Sequence, residues 1–500
     1  MKKRVRNDLQ VRVSFRVPKP PLISLVLDQV TIDMLHDDVL LEIFNFYQDD
    51  RANRKEFGWG WIILVQVCRR WRQLIFESPR RLDIQLVCTP TTPTKGLLEF
   101  WPHFPIIVCY CESVASYLWR VGVENSITAL ECRDRASLID IFCLHLSELR
   151  KLIAVMNKPF PILTKVSLRI ADYDAALDLP ETFLGGSAPS LRSFSLEGIR
   201  FPTLPKFILS STRIVHLFLN RVGYISPEVI ASCLAALPKL NYFRIGFRSP
   251  LPHIIQISAP TLPRAVLPAL THFSFRGVSE YFEALVAQID TPILKRLSIA
   301  FFISTLVPTL EIPRIHDFVN RIESLGPFGR ADVEVSDRTI RMTLGSPTST
   351  QFRLALECGK VQDRIMSPMT QIFSQQLRLL SHVEQLEIRV RRWENEAPSI
   401  DSSLWLGLFR LFIAVKSLYI SDGLLPTVSV ALKRFTPERT VEVFPALGNF
   451  YLPGLEGSGS VPESIGSFIA SRQLSGHPVV VENWERQLYI DDDSEMGDNW

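Results

Sequence analysis

The sequence predicts an α/β chain in which a small N-terminal helical unit precedes an irregular array of strand–helix repeats sharing one parallel sheet. Three observations carry this reading. Residues 33–82 contain two apolar runs at helical spacing. Beyond about residue 126 a fixed pattern of apolar positions recurs ten times. The 500 residues are 47% apolar with a mean hydropathy of +0.14, ample for a large core and inconsistent with wholesale disorder. That length fits roughly three or four domains, or one extended array.

In the first run, Asp37 or Asp38 supplies a helix cap, and Val39, Leu40, Leu41, Ile43, Phe44, Phe46 and Tyr47 cover more than one face of the helix that follows. A polar loop over 48–55 leads through Phe57, Gly58, Trp59 and Gly60 into a second helix. Its Leu64, Cys68, Trp71 and Ile75 fall at steps of four, three and four. Val67 and Leu74 widen that stripe, Arg69, Arg70 and Arg72 lie opposite, and Pro79 marks the stop. A unit of about 50 residues is marginally stable alone. Surplus apolar surface on such a unit points to a docking module.

The residues L-H-D-D-V-L-L-E-I-F at 35–44, L-V-Q-V-C-R-R-W-R-Q-L at 64–74 and S-P at 78–79 resemble an F-box, especially the F-box-like proteins of mushroom-forming fungi. His36 stands where that motif usually has proline, and the link over 49–60 is longer than usual. The resemblance implies that the unit binds a Skp-type adaptor and through it a cullin ubiquitin ligase. It nominates Leu35, Val39, Leu40, Leu41, Ile43, Phe44, Val67, Cys68 and Trp71 as the adaptor-binding residues.

Next come a strand over 83–87, a turn-rich stretch over 89–94, a short helix over 95–104 and a strand over 105–111. The repeating pattern is an apolar residue, two others, an apolar residue, one other and an apolar residue. It occurs as Ile127, Leu130, Cys132; Leu163, Val166, Leu168; Leu191, Phe194, Leu196; Ile214, Leu217, Leu219; Leu240, Phe243, Ile245; Leu270, Phe273, Phe275; and Leu294, Leu297, Ile299. It returns as Val383, Leu386, Ile388; Val415, Leu418, Ile420; and Leu447, Phe450, Leu452. Pro161, Pro189, Pro238, Pro268, Pro292 and Pro445 each stand two residues before a first apolar position, which suits a turn entering a strand. First positions step by 28 (163 to 191), 23, 26, 30 and 24 residues, within the leucine-rich-repeat range. Such repeats bury their apolar faces only by stacking. The expected fold is therefore an irregular leucine-rich-repeat-like solenoid. The irregularity follows because the position that usually carries Asn or Cys holds Ile199, Val222, Arg248, Val278 and Phe302.

Helical spacing over 227–237 and 280–289 supplies the connecting helices. The rhythm breaks between 299 and 383, where a helix over 315–322, strands over 331–344 and 352–356, and a helix over 368–380 are expected. This segment reads as degenerate repeats. A loop over 453–462, a helix over 463–471 and a strand over 478–481 close the array. The domain expectation is a basic arm at 1–29, an F-box-like domain at 30–82, the array at 83–488 and an acidic tail at 489–500.

A net charge of +3 creates no global field for nucleic acid. Lys2, Lys3, Arg4, Arg6, Arg12, Arg16 and Lys19 at one end, and Asp491, Asp492, Asp493, Glu495 and Asp498 at the other, read as solvated ends. Residues 22–27 are too short for a signal sequence, and no stretch reaches the length of a membrane span. Eight cysteines without a regular framework fit a reducing compartment, cytoplasmic or nuclear. Phosphate loops, nucleophile elbows and zinc-protease helices are lacking, so no enzyme activity, cofactor or metal is expected. Cys109, Cys111, Cys132, Cys143 and His145 have no zinc spacing and read as buried thiols, with Cys132 at a strand position. Arg389, Arg391, Arg392 and Trp393 form the densest basic–aromatic patch on the array and the candidate target-binding site. The expected partners are the adaptor, its cullin and an unknown protein substrate, with no nucleic acid and no membrane. The alternative is an interaction scaffold outside any ligase.

Overall fold

The computed structural model describes residues 32–52, 60–111, 123–171, 177–200, 206–248, 264–303, 312–336, 338–346, 350–358, 363–390, 401–433, 442–453 and 462–484. Within them the chain divides after Ile84 into a helical unit and a larger α/β unit.

In the helical unit, α1 (Asp37–Ala52), α2 (Gly60–Val67) and α3 (Arg69–Glu77) follow a 3-10 turn, Ile32–Met34. His36, rather than Asp37 or Asp38, stands at the helix start. Its carbonyl accepts the Val39 and Leu40 N–H groups at 3.0 and 3.2 Å, and its Nδ1 accepts the Asp38 N–H at 3.4 Å. The two aspartates sit in the first turn, where negative charge suits the positive end of the helix dipole. Arg70 and Arg81 reach them at 2.6 and 2.7 Å. The single helix expected over 64–75 is two. Cys68 takes extended backbone (φ −154°, ψ 171°) and its Sγ accepts the Trp71 N–H at 3.4 Å, so it ends α2 and caps α3.

The larger unit contributes eighteen strands among the described residues. They are β1 (Leu86–Cys88), β2 (Ile106–Cys111), β3 (Ala136–Cys143), β4 (Lys165–Ile170), β5 (Ser193–Glu197), β6 (His216–Val222), β7 (Tyr242–Phe247), β8 (Ala265–Val266) and β9 (His272–Gly277). The series continues with β10 (Ile289–Asp290), β11 (Arg296–Phe302), β12 (Arg330–Val335), β13 (Thr339–Gly345), β14 (Gln351–Glu357), β15 (Gln385–Val390), β16 (Ser417–Ile420), β17 (Asn449–Leu452) and β18 (Val480–Asn483). Sixteen form one sheet in the order β1-β2-β3-β4-β5-β6-β7-β9-β11-β14-β13-β12-β15-β16-β17-β18, while β8 and β10 pair separately. Every pairing in the large sheet is parallel except the two that β13 makes with β12 and β14.

The prolines do what their position predicts. Each of Pro161, Pro189, Pro238, Pro268, Pro292 and Pro445 is the second residue of a turn closed by the first apolar residue's N–H, at 3.0–3.4 Å. The residue just after that apolar position then offers its carbonyl to two N–H groups of the next repeat. Thr164 accepts from Arg192 and Ser193, Arg192 from Val215 and His216, Val215 from Asn241 and Tyr242, Asn241 from Thr271 and His272, and Thr271 from Lys295 and Arg296, all at 2.8–3.1 Å. Backbone thus supplies a ladder along the strand starts. In nine of the ten sequence matches the three apolar side chains are at most 3% exposed. Fully burying each Val, Leu, Ile or Phe contributes roughly 1.5–3 kcal/mol relative to exposure.

Two expectations fail locally. Ile127 and Leu130 lie on helix Glu124–Glu131 with Cys132 at its C-cap, so Cys132 is not at a strand position. The segment between 299 and 383 is not a set of degenerate repeats. Ala331, Val333 and Val335, then Ile340, Met342 and Leu344, are buried in alternation, the period of a strand with one wet face. The Ser336 N–H bonds the Thr339 carbonyl at 2.9 Å and reverses the chain, so the strand expected over 331–344 is two. β14 pairs with β11 and β12 with β15, both in parallel, which splices the meander into the sheet without interrupting it.

Buried polar side chains complete the backbone bonding. Glu283, only 4% exposed, accepts the N–H groups of Arg314 and Ile315 at 3.0 and 2.7 Å, capping helix Pro313–Arg321 from a neighbouring helix. Arg472, fully buried on helix Glu463–Leu474, donates to the carbonyls of Val443, Pro445 and Leu447 at 3.3, 3.4 and 3.3 Å. Replacing Arg472 with Met strands those carbonyls. The variant is expected to lose about 2–4 kcal/mol, read as a lower thermal midpoint; an unchanged midpoint would show the three bonds to be dispensable.

Candidate functional site

The helical unit and the sheet present one candidate surface each. On α1, successive residues divide between two faces. Leu40, Leu41 and Phe44 are buried, and the Phe44 ring packs on Trp71 with centroids 4.7 Å apart. Val39, Ile43 and Phe46 follow at steps of four and three on another face and are 46%, 42% and 75% exposed. Ile63 and Val67, four residues apart on α2, are 46% and 57% exposed, and Ile32 and Met34 are exposed ahead of α1. Scattered single apolar residues on a surface carry no message. A helical stripe of three on a small unit is a patch of the kind that marks an interaction site.

The nominated adaptor-binding residues therefore separate. Val39, Ile43 and Val67 are exposed and available to a partner. Leu40, Leu41 and Phe44 are internal and hold the unit together. Leu35, Cys68 and Trp71 are half-buried, Leu35 giving its carbonyl to Arg70 Nη2 at 2.6 Å and Cys68 acting as the cap of α3. Phe46, Ile63, Ile32 and Met34 were not nominated. For Phe46 and Ile63 the signal is the second face of a helix apolar on more than one side, which a pattern search for one buried stripe passes over; Ile32 and Met34 precede α1 and carry no periodic signal.

The second surface is the face of the sheet opposite the core. Between the core positions of each strand the intervening side chains point outward, and the shared register aligns them in rows. One row runs Phe218, Arg244, Ser274, Ser298, Arg353 across β6, β7, β9, β11 and β14. Beside it the Phe218 ring packs tilted against Tyr242 at 4.9 Å, and Tyr242 stacks on His272 at 5.2 Å. Arg244 donates to the Tyr242 hydroxyl at 3.2 Å, and Arg276 pairs with Glu357 at 2.7 Å. Farther along, β12, β13 and β15 carry Arg330, Arg341 and Arg389 against Asp332, Glu334 and Glu387. Arg330 meets Glu387 at 2.5 Å, Arg341 meets Glu334 at 2.9 Å, and Arg389 bonds Asp332.

That network removes Arg389 from the expected target-binding patch, because its guanidinium serves two carboxylates inside the sheet, Asp332 and Glu387. Arg391, Arg392 and Trp393 lie outside the described residues. Of the thiols read as buried, Cys109 and Cys143 are in the core, whereas Cys111 is exposed and Cys132 is half-buried at a helix C-cap. Burial pushes Cys88 up to about 11 and Cys109 up to about 12, which keeps both protonated at neutral pH. Among the described residues no group of His, Cys, Asp and Glu side chains is placed to hold a metal, and no helix is long and apolar enough to cross a membrane.

No protein-family model matches the chain, and no curated protein matches it. The two surfaces must be read from their own chemistry.

Burial, with the nearby Glu387 and Glu334 charges against the Arg389 guanidinium, raises Asp332 from 3.8 to about 6. A carboxyl raised in the fold favours the protonated state, so its contribution to stability grows as pH falls from above 6 toward 3.8. Asp332→Asn cannot titrate. The stability of the unmodified chain relative to that variant is expected to rise by on the order of 2 kcal/mol between pH 7.5 and pH 4.5. A difference that stays constant with pH would refute the shift.

Proposed function

We propose that the chain is the substrate-receptor subunit of a cullin–Skp–F-box ubiquitin ligase. The helical unit acts as the F-box that docks a Skp-type adaptor. The larger unit acts as a leucine-rich-repeat-like solenoid that presents a target protein. The observation that carries the reading is the exposed stripe of Val39, Ile43 and Phe46 on a helix whose other face already holds the unit's core. An apolar stripe at steps of four and three matches the spacing with which helices insert into the grooves of partner helices.

The chain performs no bond chemistry in this reading. It raises the effective concentration of a substrate lysine near a charged ubiquitin-conjugating enzyme, making transfer effectively intramolecular. The paired carboxylates and guanidinium groups of β12, β13 and β15 serve the sheet, and the buried thiols stay protonated. Neither supplies a nucleophile.

The test uses the exposed stripe, since substitutions at Leu41 or Phe44 would unfold the unit. The full chain is expected to capture a fungal Skp-type adaptor together with its cullin. Val39→Asp combined with Phe46→Asp should weaken adaptor binding by about a hundredfold, the loss of two central anchors, without lowering the thermal midpoint. A folded chain that captures no adaptor would sink the proposal. Capture of adaptor without cullin would mark a scaffold outside the ligase.

A further inference from the structure

The last strands of the sheet place aromatic and acidic side chains in one outward row. Glu387, Tyr419, Tyr451 and Glu482 stand on β15, β16, β17 and β18 in shared register. The Tyr419 and Tyr451 rings stack at 4.2 Å and 6° from parallel, and the Trp484 ring meets Tyr419 at 5.7 Å and 65°. All three aromatic residues are half-buried. One face of Tyr451 is taken by Tyr419 on β16, so its other face is turned toward β18, where Glu482 is exposed. The Tyr451 hydroxyl bonds to the Glu482 carboxylate. Burial, that bond and the neighbouring Tyr419 push the Tyr451 phenol up to about 12, so the phenol stays neutral and Glu482 carries the charge of the pair.

Two features of this end point to a ligand. The first is charge. Outward positions on β15 to β18 carry Glu387, Arg389 and Glu482. Arg389 serves Asp332 and Glu387, whereas Glu482 finds no cation among the described residues. The second is backbone. Among the described residues β18 pairs with β17 alone. The Val480 and Trp484 N–H groups donate to the Gly448 and Leu452 carbonyls, both at 2.8 Å, so the alternate backbone groups, those of Val481 among them, face the open edge of the sheet. A charged residue on an edge strand also discourages self-pairing. That task needs no ring stack beside the carboxylate.

We infer that the open edge of β18 takes an extended segment of a partner protein as an added strand, with an arginine side chain of that segment paired to Glu482 and laid on the free face of Tyr451. Strand addition supplies main-chain bonds, and the side-chain site supplies choice. An added strand runs about 4.8 Å beyond β18 and about 9.6 Å from β17. An outward arginine on it is long enough to lean across Glu482 to the Tyr451 ring. A guanidinium plane stacks on an aromatic face and gives a carboxylate two parallel hydrogen bonds at once, which a lysine ammonium does not. A quaternary ammonium has no N–H to offer Glu482, and nucleic acid brings charge of the wrong sign. The inference names the chemistry of the target and rests on the proposed function only in taking the sheet as the unit that holds it; it does not depend on adaptor docking.

The full chain, without adaptor, would be immobilised and offered a randomised peptide pool with arginine fixed at its centre, and the same pool with citrulline, the neutral isostere, in its place. The arginine pool should be retained at least about tenfold more strongly, as expected for a charge-assisted bidentate pair. Glu482→Gln should erase that preference at an unchanged thermal midpoint. Tyr451→Leu should weaken retention of the arginine pool about threefold, the loss of a cation–π contact at a half-buried ring. Should that variant unfold, Glu482→Gln, on an exposed side chain, keeps the test valid. Methylating alternate peptide nitrogens should abolish retention in one register and spare it in the other, because only one set of N–H groups faces β18. Equal retention of both pools, retention indifferent to Glu482→Gln, or indifference to methylation in both registers would overturn the inference. So would retention that appears only after residues 1–29 are removed, which assigns the edge to the chain's own basic arm, or a dimer broken by Glu482→Gln, which assigns it to a second copy. Adaptor capture, measured separately, should be the same in every variant, so that failure of either reading is seen apart from the other.

Discussion

Register along the parallel sheet is the constraint on which the rest of the larger unit depends. A strand shifted by one residue turns every core side chain to the solvent face. Two local devices prevent this, the first at six of the repeats. A proline sets the turn whose closing N–H belongs to the first apolar residue, and the next residue's carbonyl takes two N–H groups from the following repeat. These devices act at the strand start and therefore fix where the alternation begins. The carbonyl ladder also explains how the array does without Asn or Cys at the position now held by Ile199, Val222 and Val278. Register is secured at the strand starts by backbone, and Ile199 and Val222 join the core while Val278 packs half-buried against it.

The same constraint makes the outward face more than leftover surface. In a shared register, residues at equivalent repeat positions come to lie side by side at the strand spacing, although they are far apart in sequence. Phe218, Tyr242 and His272 become a row of ring contacts by this route, and Arg330, Arg341 and Arg389 meet their carboxylates. The meander obeys the rule as well. β13 runs backwards, yet its flanking strands join β11 and β15 in parallel, so outward rows pass through it unbroken. Where backbone cannot bond to backbone, a buried charged side chain does so. Glu283 caps a neighbouring helix and Arg472 gathers three loop carbonyls.

How much of this was legible in the sequence depended on the range of the interaction involved. The proline turns and nine of the ten core triplets were legible because their cause lies within a few residues. Ile127, Leu130 and Cys132 misled because the first step of the pattern, three residues, is also a helical step, and the helix Glu124–Glu131 used it. The break at Cys68 was invisible because the apolar stripe runs through it at helical spacing, while the cap depends on a single thiol accepting an N–H. Within 331–344 the alternation was plain, but the reversal between Ser336 and Thr339 left no glycine or proline to mark it. The candidate sites were the least legible. Arg389 looked like a free cation in sequence because Asp332, its partner, is 57 residues away along the chain.

The two surfaces differ in what keeps them from collapsing into the fold. On α1, Val39, Ile43 and Phe46 stay exposed because Leu40, Leu41 and Phe44 already fill the space against α2 and α3, and a helix cannot turn both faces inward on a unit this small. On the sheet, the arginines of β7, β9, β11 and β14 stay outward because turning any one inward would exchange it with a core Phe, Leu or Ile and break the register of its whole strand. Each surface is therefore preorganised by packing behind it. The cost of ordering those side chains is met during folding.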